Sequence, residues 1–547
     1  MRKSTPNCRV GAKAANLLTS SQERLLGRAS VHASPNIVGN PQKSGLAWTL
    51  ALPMWVLKRS QQRVLESAAL RHATARETVL PLPKGEGRGE GERAVRSRAP
   101  ATSATSLPTP ARFRLLLLAG AIAAAPLNSP AESFLLTGAT VHTISSQTLA
   151  PGQVLIRDGK IAAIGKTVPA DGAVSIDLAG QHLYPGLIAL NTVLGLTEIS
   201  GVRSTQDTTE VGDDFTPDVV SWIAVNPDSE LIPVTRANGI TCFEPVPEGH
   251  IISGQSALVA TAGWTTEQMT IRKPIALHVF WPSMELDTTP KEKARDKAKW
   301  KSLEEQAKER RARLQATEDF FEEANAYAKA KDAAAKGQAP APEQIPAWEA
   351  MLPFVAGKLP IMIHADEIRQ IRAAIRWADT NHYKVMLAGG RDAWMAADLL
   401  AAKQVPVVYG HTFTQPPRDS ASYDIQFRAP DILNRAGVQV TFSIGSDSFN
   451  AALIRNLPYS AAQAVAFGLP ETEALKGLTL YPAQLAGVAD RLGSIEPGKD
   501  ATLFAADGDI LDIRTHVKRM WIAGQEVSLE TRHTRLYEKY KNRPRPE

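Results

Sequence analysis

Residues 134 to 185 alternate apolar and polar positions in short runs, FLLTGATVHTI, GQVLIRDGKIAAIG and AVSIDLAGQHLYPG, broken by a turn at RDGK. This period of two predicts a small antiparallel sheet. The same alternation returns near the end of the chain in GSIEPGKDATLFAADGD and HVKRMWIAGQEV, and two β-rich segments flanking a long middle predict one sheet interrupted by an inserted domain. In the middle, the apolar runs LPIMIHADE, YKVMLAGG, VPVVYGH and VQVTFSIGSD are separated by the amphipathic segments IRQIRAAIRWADTN, RDAWMAADLLAAKQ and APDILNRAG. Strands apolar on both faces and interleaved with helices predict parallel pairing under a helical cover. A closed barrel and an open doubly wound sheet both satisfy this pattern. No glycine-rich dinucleotide fingerprint follows a strand, which favours the barrel.

The run from Pro290 to Lys336 is highly charged and helical in composition, with Trp300, Leu303, Ala307, Leu314, Phe321 and Ala324 on one narrow stripe. It fits either a coiled-coil arm for a partner or a helical hairpin over the barrel mouth. The first 110 residues lack sustained periodicity and read as disordered or as a leader placed too early. Within 111–132, Arg112 and Arg114 precede a short apolar run and then small residues, the grammar of a secretory signal. This predicts a periplasmic or secreted body with no membrane span after signal removal. Cys8 lies in the leader, so Cys242 stands alone in the body and no internal disulfide framework is expected.

The formal charge of +6 changes meaning when the chain is divided. Residues 1–132 hold 19 Lys+Arg against 7 Asp+Glu, and the remainder holds 43 against 49. The body is mildly acidic, which argues against a nucleic-acid partner.

The segments LTGATVHTI, VLIRDGKIAAIG, LYPGLIALNT, LKGLTLYPAQLAGVADRLGSIEPGKDATLFAADGD and VKRMWIAGQEV occur in an order that resembles the amidohydrolase superfamily, most closely its imidazolonepropionase-like branch. The resemblance implies an α/β fold, a (β/α)8 TIM-type barrel over residues 185–478 with a charged helical excursion at 290–336. A small β-sandwich is implied from 133–184 and 479–530, followed by a tail at 531–547. It also implies a divalent metal, zinc first, at the C-terminal mouth of the barrel, with an Asp on the last strand moving the proton.

Where the family's first strand carries two His one residue apart, this chain has Asn191 and Val193. The strand-six His falls at Gly389, the strand-five His is matched by His364 and the strand-eight Asp by Asp447. The resemblance therefore makes His364 and Asp447 the candidate catalytic residues. His278 and His411 lie in or just after strand-like runs and complete a candidate set of four metal donors with them; each also reads as a hydrogen-bonded core or rim histidine. Glu198, Asp207, Glu210 and Asp213 follow the first strand and read as a polar loop or as a site for a cation. Asp366 and Glu367 suit either acid/base work or the start of a helix. The expected function is hydrolysis of a carbon–nitrogen bond in a small amide or cyclic amide; the alternative is a catalytically inactive barrel that binds a ligand or a partner. The expectation allows a homo-oligomer.

Overall fold

The computed structural model of the chain describes residues 133–544, so the leader and the signal-like segment lie outside the described residues. The first segment forms β1 (Phe134–Val141), β2 (Leu149–Arg157), β3 (Lys160–Gly165), β4 (Val174–Asp177) and β5 (His182–Pro185). Far along the chain come β14 (Leu503–Ala506), β15 (Val517–Ile522) and β16 (Gln525–Glu526). All eight belong to one mixed sheet, in the order β16-β15-β14-β5-β1-β2-β3 with β4 beside β1. The two chain ends join where β14 runs antiparallel to β5 and Phe504 stands opposite Tyr184. Leu136, Val154, Ile156, Leu183, Leu503 and Trp521, from both segments, share one core, which is why neither half buries its apolar face alone.

The inserted domain is a TIM-type barrel whose eight strands follow chain order around the sheet. They are β6 (Leu187–Thr192), β7 (Ile240–Pro245), β8 (Ile252–Ala260), β9 (Thr270–Phe280), β10 (Ile361–Ala365), β11 (Val385–Gly389), β12 (Val407–Tyr409) and β13 (Val440–Phe442). From β9 to β13 every neighbour is parallel. The third strand departs from the ideal pattern: β8 pairs antiparallel with both β7 and β9. The seam between β13 and β6 is bridged by the Ser443 hydroxyl, which donates to the Asn191 carbonyl at 3.1 Å.

Alternation decides which side chains fill the barrel. Ile188, Leu190, Cys242, Ala276, Met362, Met386 and Val408 form the interior cluster, capped below by Ala483, Val488 and Leu492. Their strand neighbours Leu187, Phe243, Ile361, Leu387 and Val407 face the helical layer. The same period carries His278, two residues beyond Ala276, and His364, two beyond Met362, onto the inward face.

The charged excursion is one long helix, α1 (Leu303–Ala335), begun by a capping box in which Ser302 and Glu305 satisfy each other's backbone amides. It pairs with α2 (Pro346–Val355) and lies on the barrel wall, neither projecting as an arm nor folding over the mouth. Phe321 packs edge-on against Trp377 of α3 (Ile368–Thr380) and beside Tyr383, and Asn325 donates to the Tyr383 hydroxyl at 2.6 Å. Only Thr317, Phe321, Ala324 and Tyr327 of this helix are buried, so its docking rests on a seam of about one residue per turn. Phe321→Ala is expected to lower stability by about 3–4 kcal/mol, the usual cost of a large aromatic deletion in a packed core. Leu303→Ala, at a position 49% exposed, is expected to shift it by about 0.5 kcal/mol or less. Urea denaturation curves check both; equal, small effects would detach the helix from the wall.

Candidate functional site

The C-terminal ends of the strands open on a cavity of about 840 Å³ whose walls come from the loops after β6, β7, β9, β10, β11, β12 and β13. This is the face on which barrel enzymes build their sites, because loops there vary without disturbing strand packing. Asn191, Glu248, His364, Asp366, His411 and Asp447 are among its polar lining residues.

A buried carboxylate organises the floor. Glu244, fully buried on β7, accepts from the Asn191 amide at 2.9 Å and from the Ser256 hydroxyl at 2.7 Å. Its Oε1 also stands 3.5 Å from Nε2 of the equally buried His278. His278 Nδ1 and His364 Nε2 are 3.0 Å apart. A carboxylate facing Nε2 favours the proton there, which leaves His278 Nδ1 to accept from His364 Nε2–H and makes Nδ1 of His364 the acceptor. Burial, then the neighbouring His278, holds His364 well below the usual imidazole range, so it is neutral at physiological pH. Phe280 stacks on its ring at 3.9 Å and fixes the plane.

Asn191 adopts φ +57°, and the β6–β7 register slips between Ala189 and Thr192. This irregularity separates the two residues expected to share a face: Asn191 lines the cavity, whereas Val193 is buried in the outer core with Leu194 and Trp222. Asn191 Oδ1 is buried without a hydrogen-bond partner.

On the opposite wall, His411 Nε2 lies 2.7 Å from Asp366 Oδ1. Burial pushes the Asp366 carboxyl upward, but the His411 contact and the Arg391 amide and charge outweigh it and hold the group below the usual range. A Cβ built on Gly389 would come within 2.5 Å of Asp366 Oδ1, and Gly389 has φ +86°. The missing side chain at Gly389 is thus the space that Asp366 occupies. Glu367 takes the helix-start role expected of it, accepting from the Gln370 amide at 2.9 Å as the cap of α3.

The third group was not legible in the sequence. Glu248, three residues past β7, lies beside Asp447 on the cavity wall. Burial raises its carboxyl to about 7; a Ser446 hydrogen bond opposes the shift and the Asp447 charge adds to it. Asp447 itself is exposed and caps the turn of helix that follows it, accepting from the Phe449 amide at 2.8 Å. Glu198, Asp207, Glu210 and Asp213 do not line this cavity; Asp207 and Glu210 border a separate, smaller groove.

The four expected metal donors do not converge. Among the described residues no group of three or more His, Cys, Asp or Glu side chains is arranged to hold a metal ion. His278 and His364 direct nitrogens at each other, His411 is paired with Asp366, and Asp447 caps a helix. With a carboxylate over Gly389 and Val193 in the core, these residues do not fit the metal centre that the family resemblance implies, and no chemical step is derived through one.

Residues 267–527 match the model of the amidohydrolase family. The chain is 22% identical over 412 residues to amidohydrolase TasK of Hapsidospora irregularis, an alignment covering 68% of this chain and 39% of that protein. It thus spans well under half the length of that relative. It is 26% identical to the imidazolonepropionase of Mesorhizobium japonicum, covering 64% of this chain and 85% of the enzyme. Among solved structures, an amidohydrolase from Thermotoga maritima superposes with a TM-score of 0.63 at 27% identity, over 72% of this chain and 99% of that one. Barrel, composite sheet and these likenesses agree: residues 267–527 form an amidohydrolase family domain.

Proposed function

We propose that the cavity hydrolyses a carbon–nitrogen bond of a small amide or cyclic amide. The observation that carries the reading is the juxtaposition of Glu248 and Asp447 on the wall of a cavity at the C-terminal mouth of an amidohydrolase-type barrel. A carboxyl group with its pKa near 7 is divided between acid and base at neutral pH, as a group that takes a proton from water and returns it to a leaving nitrogen must be. Glu248 does this work in our reading, and burial, aided by the Asp447 charge, keeps its proton affinity high. His364, neutral and held by the His278–Glu244 pair, orients a donor on the substrate or the attacking water through Nδ1. Trp281 Nε1 and Thr412 Oγ1, buried without partners on cavity-lining residues, are candidate donors for the carbonyl oxygen. The second reading, a barrel that binds without turnover, draws support from Val193 and Gly389 at two positions where the family places ligands.

Glu248→Gln is expected to lower kcat by about 10²–10⁴-fold on a panel of amides, cyclic amides and lactams. In the native protein kcat/KM is expected to rise with an apparent pKa near 7. Unchanged turnover in the variant, or activity lost to chelator and restored by zinc, would refute this assignment. Binding of panel members without any turnover favours the second reading.

The same carboxyl carries a stability signature. It binds its proton more tightly folded than unfolded, so its contribution is complete below pH 4.5 and disappears as pH rises through about 7. Glu248→Gln should therefore stabilise the fold by about 2 kcal/mol at pH 8 and by much less at pH 5. Denaturation at the two pH values measures this; equal effects would show that Glu248 titrates normally.

Export through residues 111–132 is also a proposal, carried by the sequence alone. The N-terminus of the native protein is expected between residues 125 and 133, and a product that retains residues 1–100 would exclude it.

A further inference from the structure

Charge in the cavity is one-sided. Glu248, Asp366 and Asp447 line it, and no Lys or Arg does. Asp366 is answered by His411 at 2.7 Å and by the nearby Arg391. Arg391 turns its guanidinium toward Glu285, 3.9 Å away. Glu248 and Asp447 have no cationic partner: neither makes a salt bridge among the described residues, although Asp447 is close enough to repel the ionised form of Glu248. Ser446 and the Phe449 amide are hydrogen-bond donors to them and neutralise nothing.

A second observation is independent of this charge. Asn191, 3% exposed and lining the same cavity, buries Oδ1 with no donor. A buried orphan acceptor costs free energy unless a bound molecule brings an N–H or O–H. Around these groups stand Phe280, Trp281 and, at the rim, Phe413, whose ring faces attract cations and apolar stems alike. A cavity of about 840 Å³ with aromatic walls is far larger than a bare ion requires and suits an organic ligand.

We infer that the molecule this cavity takes is an organic cation, an amide bearing an ammonium or guanidinium group that sits between Glu248 and Asp447 and gives an N–H to Asn191. The inference deepens the proposal above and rests on its reading of the cavity as the substrate site. It accounts for two features the hydrolysis scheme does not use, the missing counter-charge beside Glu248 and Asp447 and the unpartnered carboxamide of Asn191. Discrimination comes from sign: an anionic analogue meets two carboxylates with no counter-charge, and a neutral one leaves them as they were.

The test is calorimetric titration of the full chain at pH 8 with three probes, cationic N-acetylargininamide, its neutral isostere N-acetylcitrullinamide, and the anionic N-acetylglutamic acid α-amide. The cation is expected to bind at least about tenfold more tightly than the neutral probe, and the anion to give no measurable heat. Asp447→Asn should reduce the preference for the cation several-fold, and Asn191→Leu should weaken all binding while keeping the preference. A neutral or anionic probe that binds as tightly as the cation overturns the inference. So does a preference that survives Asp447→Asn combined with Glu248→Gln. Calcium or magnesium alone, titrated in parallel, overturns it too if either ion binds tightly and blocks the cationic probe. Cation-selective binding without turnover would sink the hydrolysis proposal and leave this one standing; hydrolysis of neutral amides without selectivity would do the reverse.

Discussion

A carboxylate buried in a barrel needs its partners, and Glu244 has neighbours on three other strands. Sitting on β7, it accepts from the backbone amide of Asn191 on β6 and the hydroxyl of Ser256 on β8, and stands 3.5 Å from Nε2 of His278 on β9. Removing any one contact would leave a charge in a low-dielectric interior with part of its solvation missing. That requirement fixes the shape of the floor. It pins the slipped register that turns Asn191 toward the cavity, and through His278 it sets the hydrogen-bonding face of His364. The antiparallel third strand contributes to the same contact, since Ser256 reaches Glu244 from β8.

Elsewhere in the site, polar side chains are engaged in pairs. At Gly389 the absence of a Cβ admits the Asp366 carboxylate, which then takes His411 as its partner. Nitrogens that a cation would need are engaged with each other or with carboxylates. Pairing does not extend to Glu248 and Asp447, which line the cavity without a cationic partner. A scaffold can retain its strands and loops while its polar contents are rearranged in this way, because barrel packing depends on the alternate apolar layer below the mouth.

The sequence by itself determined the architecture. Period-two alternation at both ends pointed to one shared sheet, and apolar runs separated by amphipathic helices to parallel strands under a helical cover; the choice of a closed barrel over an open sheet came from the missing dinucleotide fingerprint and the family resemblance. These are local patterns, and local patterns survive in a one-dimensional reading. What the tertiary structure decided was which groups meet. Glu248 looks like any loop glutamate in PVPEGH; its raised proton affinity comes from burial and from a residue 199 positions away. The Asp366–His411 pair depends on a glycine on a third strand, and the failure of Val193 to share a face with Asn191 depends on a register slip. The wall position of α1, which the charge pattern alone left undecided, follows from a buried seam of four residues. Alternation records which side of a strand a residue takes, whereas proton affinity and partnership are set by distances across the barrel, and those exist only once the strands close.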